Sequence, residues 1–163
     1  MSKHIPLSQG KYAIVDDEDF EYLNQWKWYA VKDGSTFYAV RNSSRLLGKR
    51  SIIKMHRVIM STPEELHVDH RNRNGLDNRK VNLRNCHSFE NQMNKGKHLR
   101  NSSGFKGVSW DKGNSKWISF IRYNGKSYNL GRFDSKIDAA KAYNKAAIQY
   151  FGEFANLNEI PAQ

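Results

Sequence analysis

Apolar residues occur in short runs along most of this chain, and the runs are separated by turn-forming residues. Tyr12-Ala13-Ile14-Val15 predicts a strand. The acids Asp16-Asp17-Glu18-Asp19 that follow suit the positive end of a helix dipole, so a short helix is expected through about Trp26. Trp28 to Val31 and Phe37 to Arg41 predict a hairpin across Asp33-Gly34-Ser35. Arg50 to Met55 reads as another strand, and His56 to Met60 as a short helix that ends before Pro63. The aromatics Trp26, Trp28, Tyr29, Phe37 and Tyr38 are assigned to the core, with base stacking as the alternative for exposed ones.

The last third has its own pattern. Gly107 to Trp110 starts a strand, and the turn Gly113-Asn114-Ser115 leads into a second over Trp117 to Arg122. Asn124-Gly125 then makes a hairpin turn into Ser127 to Leu130. Ser135 followed by Asp138 marks a helix start, and the helix runs through about Tyr150 to Gly152 as its C-cap. Its alanines, Ala139, Ala140, Ala142, Ala146 and Ala147, allow a sheet to approach closely. Strand alternation turns Trp117, Ser119, Ile121, Tyr128 and Leu130 toward that helix, and Ile118, Phe120, Arg122, Ser127 and Asn129 outward. The fold class is α+β, in four segments: a β-rich part over 1–54, a central part over 55–95, a basic linker over 96–104 and a C-terminal domain over 105–160.

With 163 residues and 38% hydrophobic content, several small units are favoured over one large core. Lys and Arg outnumber Asp and Glu by 27 to 16, for a net charge of +11, which points to a polyanionic partner. Double-stranded DNA is the expected one. A membrane is not expected, since no long apolar run or polybasic amphipathic helix appears and residues 1–20 lack an apolar segment. Cys86 is the one cysteine, so neither a disulfide-linked partner nor a cysteine-rich zinc module is expected. The expectation is a monomer in the cytoplasm. Arg41, Arg45, Lys49, Arg50 and Lys54 would line a β-ribbon along a nucleic-acid groove, or form a solvated basic face.

The chemistry concentrates between Val68 and Asn91. Asp69 and Asn91 each offer an oxygen to a hard divalent cation. His70 suits proton abstraction from water near neutral pH. Nearby arginines, Arg71, Arg73 and Arg84, would hold a polyanion. Metal, base and phosphate-binding charge are what phosphodiester hydrolysis requires. Adjacent residues of an ideal strand point to opposite faces, so a site using both Asp69 and His70 requires the strand to end or bend there. Asn72, Asn74, Asn78 and Asn85 also read as plain turn formers. Asn94 has a capping role or a place at the site, and His67 is a weak ligand candidate. His56 either lines the site, binds a phosphate, or orients the central strand.

His56-Arg57, Val68-Asp69-His70, Asp77-Asn78-Arg79, Asn82-Leu83-Arg84 and Asn91 together resemble the HNH nucleases. The likeness is to the homing endonucleases of phages and introns, mobile elements whose core is a ββα-metal fold. The resemblance implies that His70 is the general base and that Asp69 and Asn91 bind one divalent ion, Mg2+ or Mn2+. It also implies that Asn82 supports the loop holding His70, so that His70, Asn82 and Asn91 form the catalytic set. The family's last letter, His, is here Asn91, which leaves the preferred metal more open than the chemistry.

A second resemblance covers the C-terminal domain. Phe105-Lys106-Gly107-Val108, Lys116-Trp117, Ile121-Arg122, Leu130-Gly131-Arg132-Phe133, Ala139-Ala140-Lys141-Ala142-Tyr143 and Ala146-Ala147 are similar to the apetala-two, or ethylene-response-factor, DNA-binding domain. Gly152 and Asn156 fit as well. That family packs a three-stranded sheet on one helix and lays the sheet in the major groove. The implied contacts are Lys106, Ser109, Trp110, Arg122 and Asn129. Arginines of the plant pattern are absent at Ser109 and Asn129, so the plant target sequence does not carry over. The resulting expectation is a metal-dependent DNA endonuclease. Its rivals are a catalytically silent DNA-binding regulator on the same scaffold and an RNA-binding or RNA-cleaving module.

Overall fold

The computed structural model describes residues 1–44, 51–97 and 101–161. Arg45, Lys49 and Arg50 lie outside the described residues, as does part of the 96–104 linker. The described chain is mixed α and β, with four helices and antiparallel sheets of two or three strands. It divides into two compact units, Met1–Asn91 and Gln92–Gln163.

In the first unit β1 (Ser2–Pro6) pairs antiparallel with β2 (Tyr12–Asp16), and α1 (Asp17–Leu23) follows with Asp17, Glu18 and Asp19 in its first turn. β1 is absent from the sequence-based reading because it has no alternating pattern: only Ile5 is buried. The helix α1 stops at Leu23, short of the expected Trp26. The Leu23 carbonyl accepts instead from the buried Trp28 indole at 2.8 Å and from the Trp26 N–H at 3.3 Å. β3 (Tyr29–Asp33) and β4 (Thr36–Asn42) form the expected hairpin, and β5 (Ile52–Lys54) adds to β4. The short α2 (Met55–Ile59) leads to β6 (His67–His70), which pairs with β7 (Leu83–Cys86), and α3 (Ser88–Met93) follows, its last two residues counted in the second unit.

The core of this unit is Ile5, Ala13, Val15, Leu23, Trp28, Ala39 and Met55. Each large apolar side chain buried there contributes about 1.5–3 kcal/mol. That core draws on β1, β2, α1, β4 and α2 together, so the N-terminal strands and the central segment share one interior. β2 also bonds directly to the loop between β6 and β7. Ile14 N–H donates to the Leu76 carbonyl at 2.8 Å, and the Ile14 carbonyl accepts from Asn78 N–H at 2.7 Å.

The second unit is a three-stranded antiparallel sheet, ordered β10-β9-β8, packed on one long helix. Its elements are β8 (Val108–Asp111), β9 (Lys116–Tyr123), β10 (Lys126–Phe133) and α4 (Lys136–Phe151). Ser119 and Ile121 are buried against the helix while Phe120 and Arg122 are exposed, as alternation requires. Tyr128 departs from its expected buried place: it is exposed at the sheet end, stacked on Tyr150 of α4 at 5.5 Å. A β-bulge between Asn129 and Gly131 shifts the register beyond it. Gly107 is the close-approach point, with φ +73 and no room for a Cβ against Phe120 O and the Tyr143 ring.

Candidate active site

β6 ends at His70, and the chain then enters a tightly bonded polar loop. Arg73 takes a left-handed φ of 62, and its N–H donates to the His70 carbonyl at 2.8 Å. Asn72 Oδ1 accepts from Asn74 N–H at 2.9 Å, and Asn74 Oδ1 from Leu76 N–H at 3.1 Å. These are the side-chain turns expected of asparagine. Asn82 ties the loop's two ends. Its Oδ1 accepts from Asn72 N–H at 3.0 Å, its Nδ2 donates to the Asp77 carbonyl at 2.7 Å, and its carbonyl accepts Arg71 N–H at 2.9 Å. Asp77 is buried beneath Arg79, both of whose bonds measure 2.7 Å. That guanidinium holds the Asp77 carboxyl below the usual carboxylate range.

His70 is buried, and its Nε2 lies 3.2 Å from Asn78 Oδ1. The Asn78 amide is oriented by its Nδ2, which donates to the Leu76 carbonyl at 3.3 Å. An amide oxygen only accepts, so in the neutral ring the proton sits on Nε2 and the lone pair on Nδ1. His56 and Tyr38 surround the ring, at 5.0 Å and 5.7 Å between centroids. Burial lowers the His70 pKa from its ordinary value, opposed by the Asn78 bond and by the charges of Asp69 and Asp77. His56 is pushed down to about 3, first by burial and then by His70, Lys54 and Arg57. The Nδ1 of His56 is buried and has no hydrogen-bond partner among the described residues.

Asp69 is 4% exposed, and Arg84, on the facing position of β7, donates to its Oδ2 from Nε at 2.8 Å and from Nη2 at 2.6 Å. Cys86 is one strand position along that face from Arg84. Its thiol is pushed up to about 11 by burial, then by Asp69 and Glu90, while Arg84 and a bond from the Asn91 backbone work the other way. One sulfur therefore feels both Asp69 and the turn of α3 that carries Asn91. Glu90 reaches back to the His87 N–H at 2.7 Å, fastening the start of α3. Asn91 itself is half-buried, its N–H donating to the His87 carbonyl at 3.1 Å. Among the described residues no three His, Cys, Asp or Glu side chains gather to hold a metal. The donors the resemblance implies, a carboxylate and an amide, are oxygens, the kind of ligand that Mg2+ or Mn2+ takes, with water or phosphate completing the shell.

The remaining predicted residues are spread out. Arg71 and Arg73 are exposed on the loop. Arg84 is buried on Asp69, a different setting from the surface contact expected of it. The Arg41 guanidinium lies 4.4 Å over the Trp26 ring and 5.5 Å from that of Trp28. His67 is exposed, and Asn94 is buried in the second unit. In that unit Arg122 and Asn129 are exposed on the outer face, while Trp110 is exposed on the helix side of the sheet, paired with Trp117 and edge-on to it at 5.1 Å. Ser109 is half-buried. Lys106 turns elsewhere: its ammonium donates to the Met93 carbonyl at 2.7 Å and lies 6.0 Å from the rings of Tyr143 and Phe151. Asn78 and Tyr38 are the site residues that sequence reasoning missed. Asn78 stood within a matched motif but read as a turn former, and Tyr38 as core.

The chain is 32% identical over 158 residues to an uncharacterized HNH endonuclease of Acanthamoeba polyphaga mimivirus, an alignment spanning 93% of this chain and 77% of that protein. The chain belongs to the HNH endonuclease family. It is also 31% identical over 93 residues to Protein 3.8 of Escherichia phage T7, covering 57% of this chain and 76% of that one. A further likeness is to the APETALA2-like protein 2 of Oryza sativa, 40% identical over 57 residues, which is 35% of this chain and 13% of the plant protein. No family model matches, and no solved structure does. Among the described residues, no helix is long and apolar enough to cross a membrane.

Proposed function

We propose that this chain is a metal-dependent, homing-type DNA endonuclease. In this reading β6, β7 and α3 are a ββα-metal core, and the sheet β8–β10 reads double-stranded DNA in the major groove. The observation that carries it is the buried pairing of His70 with Asn78 on the residue next to Asp69. A histidine held neutral, with its proton fixed on Nε2, presents the basic nitrogen Nδ1 to a water molecule. His70 takes the water proton as the oxygen attacks phosphorus and the P–O3′ bond breaks; the departing oxygen takes a proton from solvent, and the products carry 5′-phosphate and 3′-hydroxyl ends. Asn82 keeps the loop closed behind His70 through its bonds to Asn72 and Asp77. A divalent ion, Mg2+ or Mn2+, would be held by Asp69 and Asn91 and supplies, when bound, positive charge to the phosphate and the departing oxygen. Arg71 and Arg73, exposed on the loop, would hold backbone phosphates.

The test is plasmid cleavage with and without chelator, run beside gel-shift binding. Asp69→Ala and Asn91→Ala are expected to abolish metal-supported cleavage and spare DNA binding. His70→Ala is expected to lose about a hundred- to ten-thousandfold in rate. Near-wild-type cutting by either ligand variant would reject the assignment, and binding without cleavage by the parent would favour a silent DNA-binding regulator.

A further inference from the structure

Asp69 is the one carboxylate proposed for the metal, and it is not an isolated charge. Two bonds from Arg84 fall on its Oδ2, at 2.8 and 2.6 Å, and both side chains are nearly sealed from solvent, at 5% and 8% exposure. The neighbouring carboxylate, Asp77, is likewise neutralised by Arg79 at 2.7 Å. Among the described residues no further acidic or imidazole cluster joins Asp69. Affinity of oxygen sites for hard dications rises with the number of negative ligands. The site as folded brings Asn91, which is neutral, and a carboxylate already balanced by a guanidinium. Attraction for a free dication is therefore weak, and the missing negative charge must come from elsewhere. A backbone phosphate of DNA carries it.

We propose, resting on the nuclease reading above, that Arg84 is a positioning residue that makes metal uptake depend on DNA. It holds the Asp69 carboxylate in place and balances its charge while DNA is absent, and a bound phosphate restores the negative charge the ion requires. Linkage then works in both directions: DNA tightens the hold on the ion, and the ion tightens the hold on DNA by the same factor. The arrangement keeps a loaded hydrolytic centre from existing apart from its substrate. It also removes the cost of a buried carboxylate without a counter-charge.

The experiment is Mn2+ titration of the full chain in a His70→Ala background, which prevents cutting, followed by the loss of the free-ion paramagnetic resonance signal. Titrations are run alone and with a long mixed-sequence duplex. The expected result is Mn2+ uptake at least about tenfold tighter with the duplex than without it. Adding Arg84→Gln should bring DNA-free uptake at least about tenfold closer to the DNA-bound value, while Arg84→Lys should behave like the parent. Circular dichroism confirms that each variant is folded. Should Arg84→Gln fail to fold, the parent's duplex dependence still decides. Equal Mn2+ affinity with and without DNA overturns the proposal, as does DNA-free uptake by a folded Arg84→Gln that matches the parent. Uptake in neither state marks a different failure, that of the metal-nuclease reading itself.

Discussion

Asn78 and His56 show how far single residue types can be read. Asp69, His70 and Asn91 stood out in sequence because carboxylate, imidazole and amide at those intervals carry a recognisable chemistry. Asn78 did not, because an asparagine in an Asn-rich loop is most simply a turn former. Its bond to His70 exists only because β2 clasps the loop through Ile14 and brings the two side chains together. In sequence His56 fits several roles, and folding places its ring 5.0 Å from His70 with Nδ1 buried and unpartnered among the described residues. The consequence is acid sensitivity. His56 stays neutral in the folded chain down to about pH 3, whereas in the unfolded chain it takes a proton below its ordinary value of 6.5. The unfolded state thus binds more protons between pH 6.5 and about 3, and stability falls as pH falls through that window. Each such group costs about 1.4 kcal/mol per pH unit there, and His70, shifted in the same direction, adds to the slope. Replacing His56 with Phe should flatten the slope by about one proton and raise stability at pH 4 to 5. Urea melts across pH measure it, and an unchanged slope would show that His56 is charged in the fold.

At the scale of elements, regular segments with strong punctuation were legible: the β3–β4 hairpin, the three strands of the second unit and α4 with its Ser135 cap, which accepts from Ile137 N–H at 3.1 Å. Segments whose partners lie far away in sequence were not. β1 is defined by pairing with β2, α1 is cut short by the demand of Trp28 for the Leu23 carbonyl, and the β10 bulge has no local signature. The loop that carries the site belongs to this second kind. It closes against β4 at Gly75, whose N–H donates to Thr36 Oγ1 at 3.0 Å. A Cβ there would meet Phe37 O at 2.5 Å and Tyr38 ring carbons at 2.7 Å. A backbone carbonyl cannot move aside cheaply, and Tyr38 packs on both His56 and His70. Gly75→Ala should therefore destabilise the first unit by about 1–3 kcal/mol. It should also depress cleavage under conditions where the chain remains folded, because displacing Tyr38 or the loop moves His70. Denaturant melts paired with cleavage rates test this. Wild-type stability would mean that β4 does not hold the loop.

Across the whole molecule, a charge of +11 made a polyanion the expected partner, but it could not say which faces meet it. The second unit offers one face on which that question can be tested. Its outer face exposes Phe120 at 40%, aromatic surface that the helix on the other side does not cover, whereas Trp110, paired with Trp117, is exposed on the helix side of the sheet. Arg122 is two residues from Phe120 on the same face, exposed and without an ion pair among the described residues, whereas Arg132 is engaged by Asp111 at 2.8 Å. If this face reads DNA, Arg122 is its most available cation. Arg122→Ala should weaken duplex binding and flatten the dependence of log affinity on log salt by about one phosphate contact. If the guanidinium reaches a base edge, preference at that base pair should also relax by about 1–3 kcal/mol. Arg132→Ala should do less to binding, because its charge is already balanced by Asp111. Neither change should alter the rate of cleavage at saturating DNA, since both residues lie outside the first unit, which holds His70 and Asp69. Binding isotherms for a cleaved and a scrambled duplex over a salt series, with single-turnover rates beside them, separate these effects. Unchanged affinity and salt slope in Arg122→Ala would remove this face from the DNA interface.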